Sequence, residues 1–222
     1  MERAEAMQLF QSTGIYAITA ECLSAGRSNL EVVQAMLSGG IRFLQYREKA
    51  KPARVMYEEC RAIRSLCRQY RAAFIVDDFV DLALAVDADG VHIGQDDLPV
   101  PVVRRLIGER RVLGLSTHNP PQLEAGNAWG AAVDYLGVGP VFPTKTKENP
   151  APVTGLEYVR YAAHQSAKPF VAIGGIKMSN ICSVAASGAA TLALVSEITG
   201  AVDIPERIAA LRQQLGQSYA GI

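Results

Sequence analysis

The stretch Gly130-Ala131-Ala132-Val133-Asp134-Tyr135-Leu136-Gly137-Val138-Gly139-Pro140-Val141-Phe142-Pro143-Thr144-Lys145-Thr146-Lys147 reads in three parts. Gly130 suits a helix C-terminus, where a positive φ is needed. Residues 135–139 form a nearly all-apolar run, as expected of a strand covered on both faces. Thr144, Lys145, Thr146 and Lys147 then bring two hydroxyls and two ammonium groups onto one short loop. Such a loop suits an anion, and a phosphate ester fits it best.

The same unit recurs along the chain. Apolar runs at 14–19, 41–45, 74–76, 90–93, 112–115, 135–139, 169–173 and 191–195 predict strands. Helical patterns near 29–38, 52–70, 79–86, 99–107, 120–130, 155–164, 178–187 and 203–216 lie between them. Pro52, Pro99, Pro120 and Pro205 sit near first turns, and Ser179 and Asp203 are candidate caps. Gly39-Gly40-Ile41-Arg42, Asp87-Ala88-Asp89-Gly90 and Gly188-Ala189-Ala190 repeat the passage from helix end to strand. Strands and helices alternating in this way within 222 residues predict an α/β fold of the (β/α)8 TIM-barrel type, in a single domain. A doubly wound open sheet is the alternative. Residues 1–13 stand apart as an N-terminal extension, and 14–222 as the catalytic barrel.

Composition narrows the partners. A formal net charge of +0 argues against a nucleic-acid binder and against an anionic-membrane binder, since each needs a basic excess. Hydrophobic residues make up 49% of the chain, ample for a core, and the start Met1-Glu2-Arg3-Ala4-Glu5-Ala6 has no apolar leader. The most apolar window, 181–199, contains Ser183, Ser187, Ser196 and Glu197 and reads as helix, turn and buried strand, so no membrane span is expected. Cys60 and Cys67 fall in the helical stripe Met56, Cys60, Ile63, Cys67, Tyr70 and read as buried free thiols. With Cys22 and Cys182, and no Cys-x-x-Cys pair, they point to a reduced, cytoplasmic protein.

In a barrel the chemistry lies just past the strand C-termini. After strand two come Gln45, Tyr46, Arg47, Glu48 and Lys49, and alternation puts Gln45, Arg47 and Lys49 on one side. That set fits an oxyanion. After strands three and four come Asp77-Asp78 and Gln95-Asp96-Asp97. Carboxylates on neighbouring loops can meet on a hard cation, and Mg2+ often joins one or two carboxylates to substrate phosphates. Asp97, ahead of Leu98-Pro99, also reads as a helix cap. Ser116 and His118 follow strand five without a nucleophile elbow, so substrate hydrogen bonding is favoured over a Ser–His nucleophile. His92 reads as a strand-end packing residue and His164 as surface. Gly174-Gly175 after strand seven and Val195-Ser196 after strand eight occupy the usual phosphate position of barrels. The sum is two anion sites. One, with a candidate metal, suits a diphosphate leaving group; the other suits a monophosphate.

These residues resemble the thiamine phosphate synthase family. The resemblance runs from about Ile15 to Leu215 and is carried by Gln45-Tyr46-Arg47-Glu48-Lys49, the segment 90–97, the segment 137–147 and Ile173-Gly174-Gly175-Ile176. It implies condensation of a hydroxymethylpyrimidine diphosphate with a thiazole phosphate to give thiamine phosphate and pyrophosphate, with the diphosphate leaving first and no covalent enzyme intermediate. It implies that Asp78 and Asp97 bind Mg2+ and that Gln45, Arg47, Lys49, Asp77, Ser116 and Lys147 take the pyrimidine diphosphate. Of these, Lys147, Arg47 and Ser116 are the catalytic candidates. It implies that Thr144, Thr146, Gly175, Val195 and Ser196 cradle the thiazole phosphate. The family usually has Asn where this chain has Asp77; a carboxylate only accepts hydrogen bonds, whereas an amide also donates them. A related thiazole tautomerase and a non-catalytic phosphate-ligand regulator are the alternative readings. The expected partners are small phosphorylated molecules, with neither nucleic acid nor membrane, and a homo-oligomer is compatible with the sequence.

Overall fold

The computed structural model describes residues 1–144, 146 and 150–219. Eight parallel strands close into a barrel in sequence order: β1 (Ile15–Ile18), β2 (Phe43–Tyr46), β3 (Ala73–Asp77), β4 (Gly90–Ile93), β5 (Val112–Thr117), β6 (Tyr135–Val138), β7 (Phe170–Ile173) and β8 (Thr191–Leu194). β8 pairs back onto β1, with Tyr16 opposite Ala193. Around the barrel run α1 (Arg3–Ser12), α2 (Asn29–Ser38), α3 (Ala53–Gln69), α4 (Val80–Ala85), α5 (Val100–Ile107), α6 (Pro120–Ala128), α7 (Gly155–Gln165), α8 (Ile181–Ala186), α9 (Ser196–Thr199) and α10 (Ile204–Tyr219). The TIM barrel expected from the sequence is therefore observed, and the open sheet is not.

Strand alternation divides the apolar side chains into two cores. Val91, Ile93, Leu113, Leu115, Leu136 and Val138 face outward and pack with the helices. Tyr16, Phe43, Ile75, Val112, Tyr135 and Val171 face inward and fill the barrel. α3 illustrates the outer packing: Met56, Cys60, Ile63 and Cys67 are all buried on its inner face, as their spacing predicts. Burial pushes the Cys67 thiol up to about 12, so it behaves as a small apolar side chain.

The N-terminal segment contributes a helix that the sequence analysis did not assign. Ala6 and Phe10, one helical turn apart, are fully buried in the inner core. The Phe10 ring lies 4.6 Å from Tyr135 and 5.2 Å from Phe43, centroid to centroid, closing the end of the barrel near the strand N-termini. Phe10 carbonyl also accepts the Thr191 hydroxyl at 3.1 Å. Truncating such a ring typically costs about 3–5 kcal/mol. Because α1 fills this end, the open mouth is the other one, where the C-termini of the strands meet. Among the described residues, no helix is long and apolar enough to cross a membrane.

Candidate active site

The mouth holds a cavity of about 500 Å³. Gln45, Arg47, Asp77 and Ser116 line it from one side, and Thr144, Thr146, Gly175, Val195 and Ser196 from the other. Residues from both sets read from the sequence thus line one chamber, whereas Lys49, Asp78 and Asp97 are not among its lining residues. Lys147, which the resemblance assigns to the pyrimidine diphosphate, lies outside the described residues, as does Lys145.

The loop after β2 keeps the strand's alternation. Arg47 turns toward Asp77, with Nε 3.5 Å from Oδ2, and its backbone N–H donates to Thr19 Oγ1 at 2.9 Å. Arg47 Nε is buried with no hydrogen-bond partner among the described residues, and the Arg47 side chain lines the cavity. Glu48 points the opposite way and anchors the loop: its Oε1 accepts the Glu21 N–H at 3.0 Å and Asn29 Nδ2 at 2.9 Å. Lys49 returns to the inner side. Its Nζ is 2.9 Å from Asp77 Oδ2 and also bonds Asp78 Oδ2. Burial would lower the Lys49 pKa, but the Asp77 and Asp78 carboxylates outweigh it and hold the value above its ordinary level.

Asp78 and Asp97 come together beside this cluster. Asp78 sits at φ 59°, a left-handed conformation that Asp tolerates, and its N–H donates to the His92 carbonyl at 2.8 Å. Asp97 does not cap α5, whose N-cap is Pro99; its Oδ2 instead accepts the Gly94 N–H at 2.6 Å. Burial, and then the nearby charge of Asp78, lift the Asp97 carboxyl above its ordinary value, against the opposing Gly94 N–H. Two neighbouring carboxylates, one of them paired with Lys49, are the kind of oxygen donors that suit a hard cation. No group of three or more His, Cys, Asp or Glu suited to a metal occurs among the described residues. Mg2+ commonly takes only one or two protein carboxylates, with waters and substrate phosphates as its other ligands.

On the opposite side the chain is shaped for close approach. Gly174 and Gly175 have φ of 105° and 62°, and a Cβ on Gly175 would lie 2.6 Å from the Pro143 carbonyl oxygen. Asn180, which the sequence analysis missed, braces this turn: its Nδ2 donates to the Gly175 carbonyl at 3.0 Å and its Oδ1 accepts the Lys177 N–H at 2.7 Å. Thr144 Oγ1 donates to Thr146 Oγ1 at 3.1 Å. Ser196 opens α9, a short extra helix with no side-chain cap, whose Ile198 N–H donates to the Val195 carbonyl at 2.9 Å. A phosphate at such a helix start is a recurrent feature of TIM barrels.

The histidines needed correction. His92 is an inward-facing residue of β4 that lines the cavity, not strand-end packing. Its Nε2 is 2.9 Å from Ser116 Oγ and its Nδ1 is 3.0 Å from the Tyr135 hydroxyl. The signal was present in the alternation Val91, His92, Ile93, whose outer members are both apolar. Ser116 and His118 do not pair: His118 Nδ1 instead donates to the Gly139 carbonyl at 2.6 Å. His164 is exposed, as expected.

Comparison with known proteins is consistent with this geometry. The family model described as thiamine monophosphate synthase matches residues 15–198. A thiamine-phosphate synthase of Pelotomaculum thermopropionicum is 52% identical over 212 residues, covering 96% of each chain. One from Caldicellulosiruptor saccharolyticus is 50% identical, covering 94% of this chain and 93% of its own. Among solved structures, a thiamine phosphate pyrophosphorylase from Pyrococcus furiosus superposes with a TM-score of 0.84 at 36% identity, covering 95% of this chain and 98% of that one.

Proposed function

The chain belongs to the thiamine monophosphate synthase family of transferase enzymes, and we propose that it joins 4-amino-2-methyl-5-hydroxymethylpyrimidine diphosphate to 4-methyl-5-(2-hydroxyethyl)thiazole phosphate. The observation carrying this reading is that Gln45, Arg47, Asp77 and Ser116 line the same cavity as Thr144, Thr146, Gly175, Val195 and Ser196, with Lys49 and Asp78 paired beside Asp77. In the reaction, the bond between the pyrimidine methylene carbon and the diphosphate oxygen breaks, and both electrons leave with the diphosphate. The thiazole nitrogen lone pair then forms the new C–N bond to the resulting cation. Thiamine phosphate and pyrophosphate are the products, and no enzyme nucleophile is required.

Arg47 and Lys49 bind the diphosphate and stabilise the charge that grows on it as it departs. Lys49 would exchange part of its pairing with Asp77 and Asp78 for substrate oxygens. Ser116 donates to the same group, and Lys147 is assigned to it from the sequence. Gln45 and Asp77 face the pyrimidine, where the Asp77 carboxylate accepts from the exocyclic amino group. Thr144, Thr146, Gly175, Val195 and Ser196 hold the thiazole phosphate at the other end, so the thiazole nitrogen is presented to the methylene carbon. Asp78 and Asp97 would hold Mg2+, which supplies further neutralisation of the leaving diphosphate. A cytoplasmic location belongs to this reading and is supported by the buried free thiols Cys60 and Cys67.

The test is pyrophosphate release with both substrates and Mg2+ titrated. Release that requires both substrates supports the synthase. Isomerised thiazole phosphate without pyrophosphate would indicate the tautomerase, and binding of either phosphate without turnover would indicate the regulator. The diphosphate-facing set Gln45, Arg47, Lys49, Asp78 and Asp97 favours the synthase, since a tautomerase has no diphosphate to bind.

A further inference from the structure

Gln45, Tyr16, Tyr135, His92 and Ser116 form one unbroken hydrogen-bonded chain across the barrel interior, contributed by β2, β1, β6, β4 and β5. Gln45 Nε2 donates to the Tyr16 hydroxyl at 2.9 Å, and the Tyr16 and Tyr135 hydroxyls are 2.9 Å apart. Tyr135 lies 3.0 Å from His92 Nδ1, and His92 Nε2 lies 2.9 Å from Ser116 Oγ. Both ends of the chain line the cavity, whereas the Tyr135 side chain is fully buried. The barrel makes room for this arrangement. A Cβ on Gly114 would lie 2.2 Å from Tyr135 Cζ and 2.4 Å from His92 Nδ1, so β5 carries no side chain where the pair packs.

The order of the protons follows from the donor inventory. A phenol has one proton, and burial keeps both Tyr16 and Tyr135 protonated by pushing them above their ordinary values. The Tyr16 oxygen already accepts from Gln45, so its own proton goes to Tyr135. Tyr135 in turn donates to His92 Nδ1, which must carry a lone pair. The Nε2 nitrogen, the other member of the ring, then carries a proton and gives it to Ser116 Oγ. Ser116 accepts along the chain, which leaves its own hydroxyl proton for the cavity.

We propose that Tyr135 and His92 are positioning residues that fix the Ser116 hydroxyl as a donor aimed at an anionic phosphate oxygen. In the reaction described above, on which this role rests, that oxygen belongs to the departing diphosphate. Neither Tyr135 nor His92 exchanges a proton with substrate; they set the direction of one hydrogen bond that strengthens as charge develops.

Two measurements decide it. The first is 15N NMR of the histidine rings in the full chain without substrates. The chain has 3 histidines, and the His92 signals are assigned by their loss in His92→Gln. The expected result is the Nε2–H tautomer for His92 and the opposite tautomer for His118, whose Nδ1 donates to a carbonyl. A His92 with Nδ1–H, or with both nitrogens protonated, would break the proposed order and overturn it. The second is turnover by Tyr135→Phe. Its kcat should fall about tenfold with each KM within about twofold, the pattern of an interaction made in the transition state. Unchanged kcat in the folded variant would overturn the role. Should Tyr135→Phe fail to fold, Tyr16→Phe removes the preceding link and should lower kcat about threefold by the same pattern; unchanged kcat there counts equally against it. If the wild type released no pyrophosphate, the reaction would be wrong, and the tautomer would still decide the chain.

Discussion

Lys49 and Asp77 form an ion pair of 2.9 Å, and Asp77 lines the cavity at the strand C-termini. Arg47 approaches the same carboxylate oxygen at 3.5 Å. Asp77 thus neutralises part of the cationic surface on which the proposed leaving group depends. An incoming diphosphate competes with it for both side chains.

Replacing Asp77 by Asn removes that competing charge while retaining a hydrogen-bond acceptor. Asp77→Asn should lower the KM for the pyrimidine diphosphate by about threefold, in line with the modest strength of a partly exposed ion pair. Its kcat should be preserved or raised. Steady-state kinetics with the thiazole phosphate saturating would read both, and a collapse of kcat would mean that the pocket is adapted to the carboxylate.

Asp97 carries a pH dependence of definite sign. Its folded-state pKa is raised above 3.8 by burial and then by Asp78. Such a group gives stability that is complete below the unfolded pKa and is lost as pH rises through the folded value. In chelator-treated protein at neutral pH, Asp97→Asn should therefore melt on the order of 2 °C above wild type, with the gain disappearing under acid conditions. Adding Mg2+ should reverse the ranking, because ligand binding stabilises only the form that holds it. A Mg2+ titration of Tm identical in both proteins would remove Asp97 from the metal site.

Arg47→Ala should raise the KM for the pyrimidine diphosphate by about 10- to 100-fold, the range expected for losing charge-assisted hydrogen bonds. The KM for the thiazole phosphate should stay within about twofold, since the role proposed for Arg47 is toward the other substrate. Equal losses for both substrates would mean that Arg47 supports the whole mouth rather than one anion.

Gly175→Ala should do the reverse. At φ 62°, with the new methyl 2.6 Å from the Pro143 carbonyl oxygen, the turn must move. We expect a stability loss of about 1–3 kcal/mol, visible in thermal melts. The KM for thiazole phosphate should rise while that for the pyrimidine diphosphate holds. An unchanged thiazole phosphate KM would place that phosphate elsewhere.

The barrel was legible because its strands are apolar on both faces and are punctuated by glycines at helix ends. Strand β4 was found at its observed bounds, Gly90–Ile93, and helix α2 at Asn29–Ser38. The geometry of the loop after β2 was legible because alternation survives past the strand, placing Arg47 and Lys49 toward Asp77 while Glu48 anchors outward. What escaped notice depends on long-range contacts. Helix α1 is weakly amphipathic by sequence, and its purpose emerges only when Phe10 meets Tyr16, Phe43 and Tyr135. Likewise, no local spacing could link Tyr135 to His92, 43 positions apart, or show that Ser116 pairs with His92 rather than with its neighbour His118.

The most direct test of the account is a crystal structure of the protein soaked with pyrophosphate and Mg2+. Pyrophosphate oxygens should lie on Arg47 and Lys49, with an ion held by Asp78 and Asp97 and Lys49 drawn away from Asp77. Pyrophosphate bound only against Gly175 and Ser196, with no ion at Asp78 and Asp97, would contradict it.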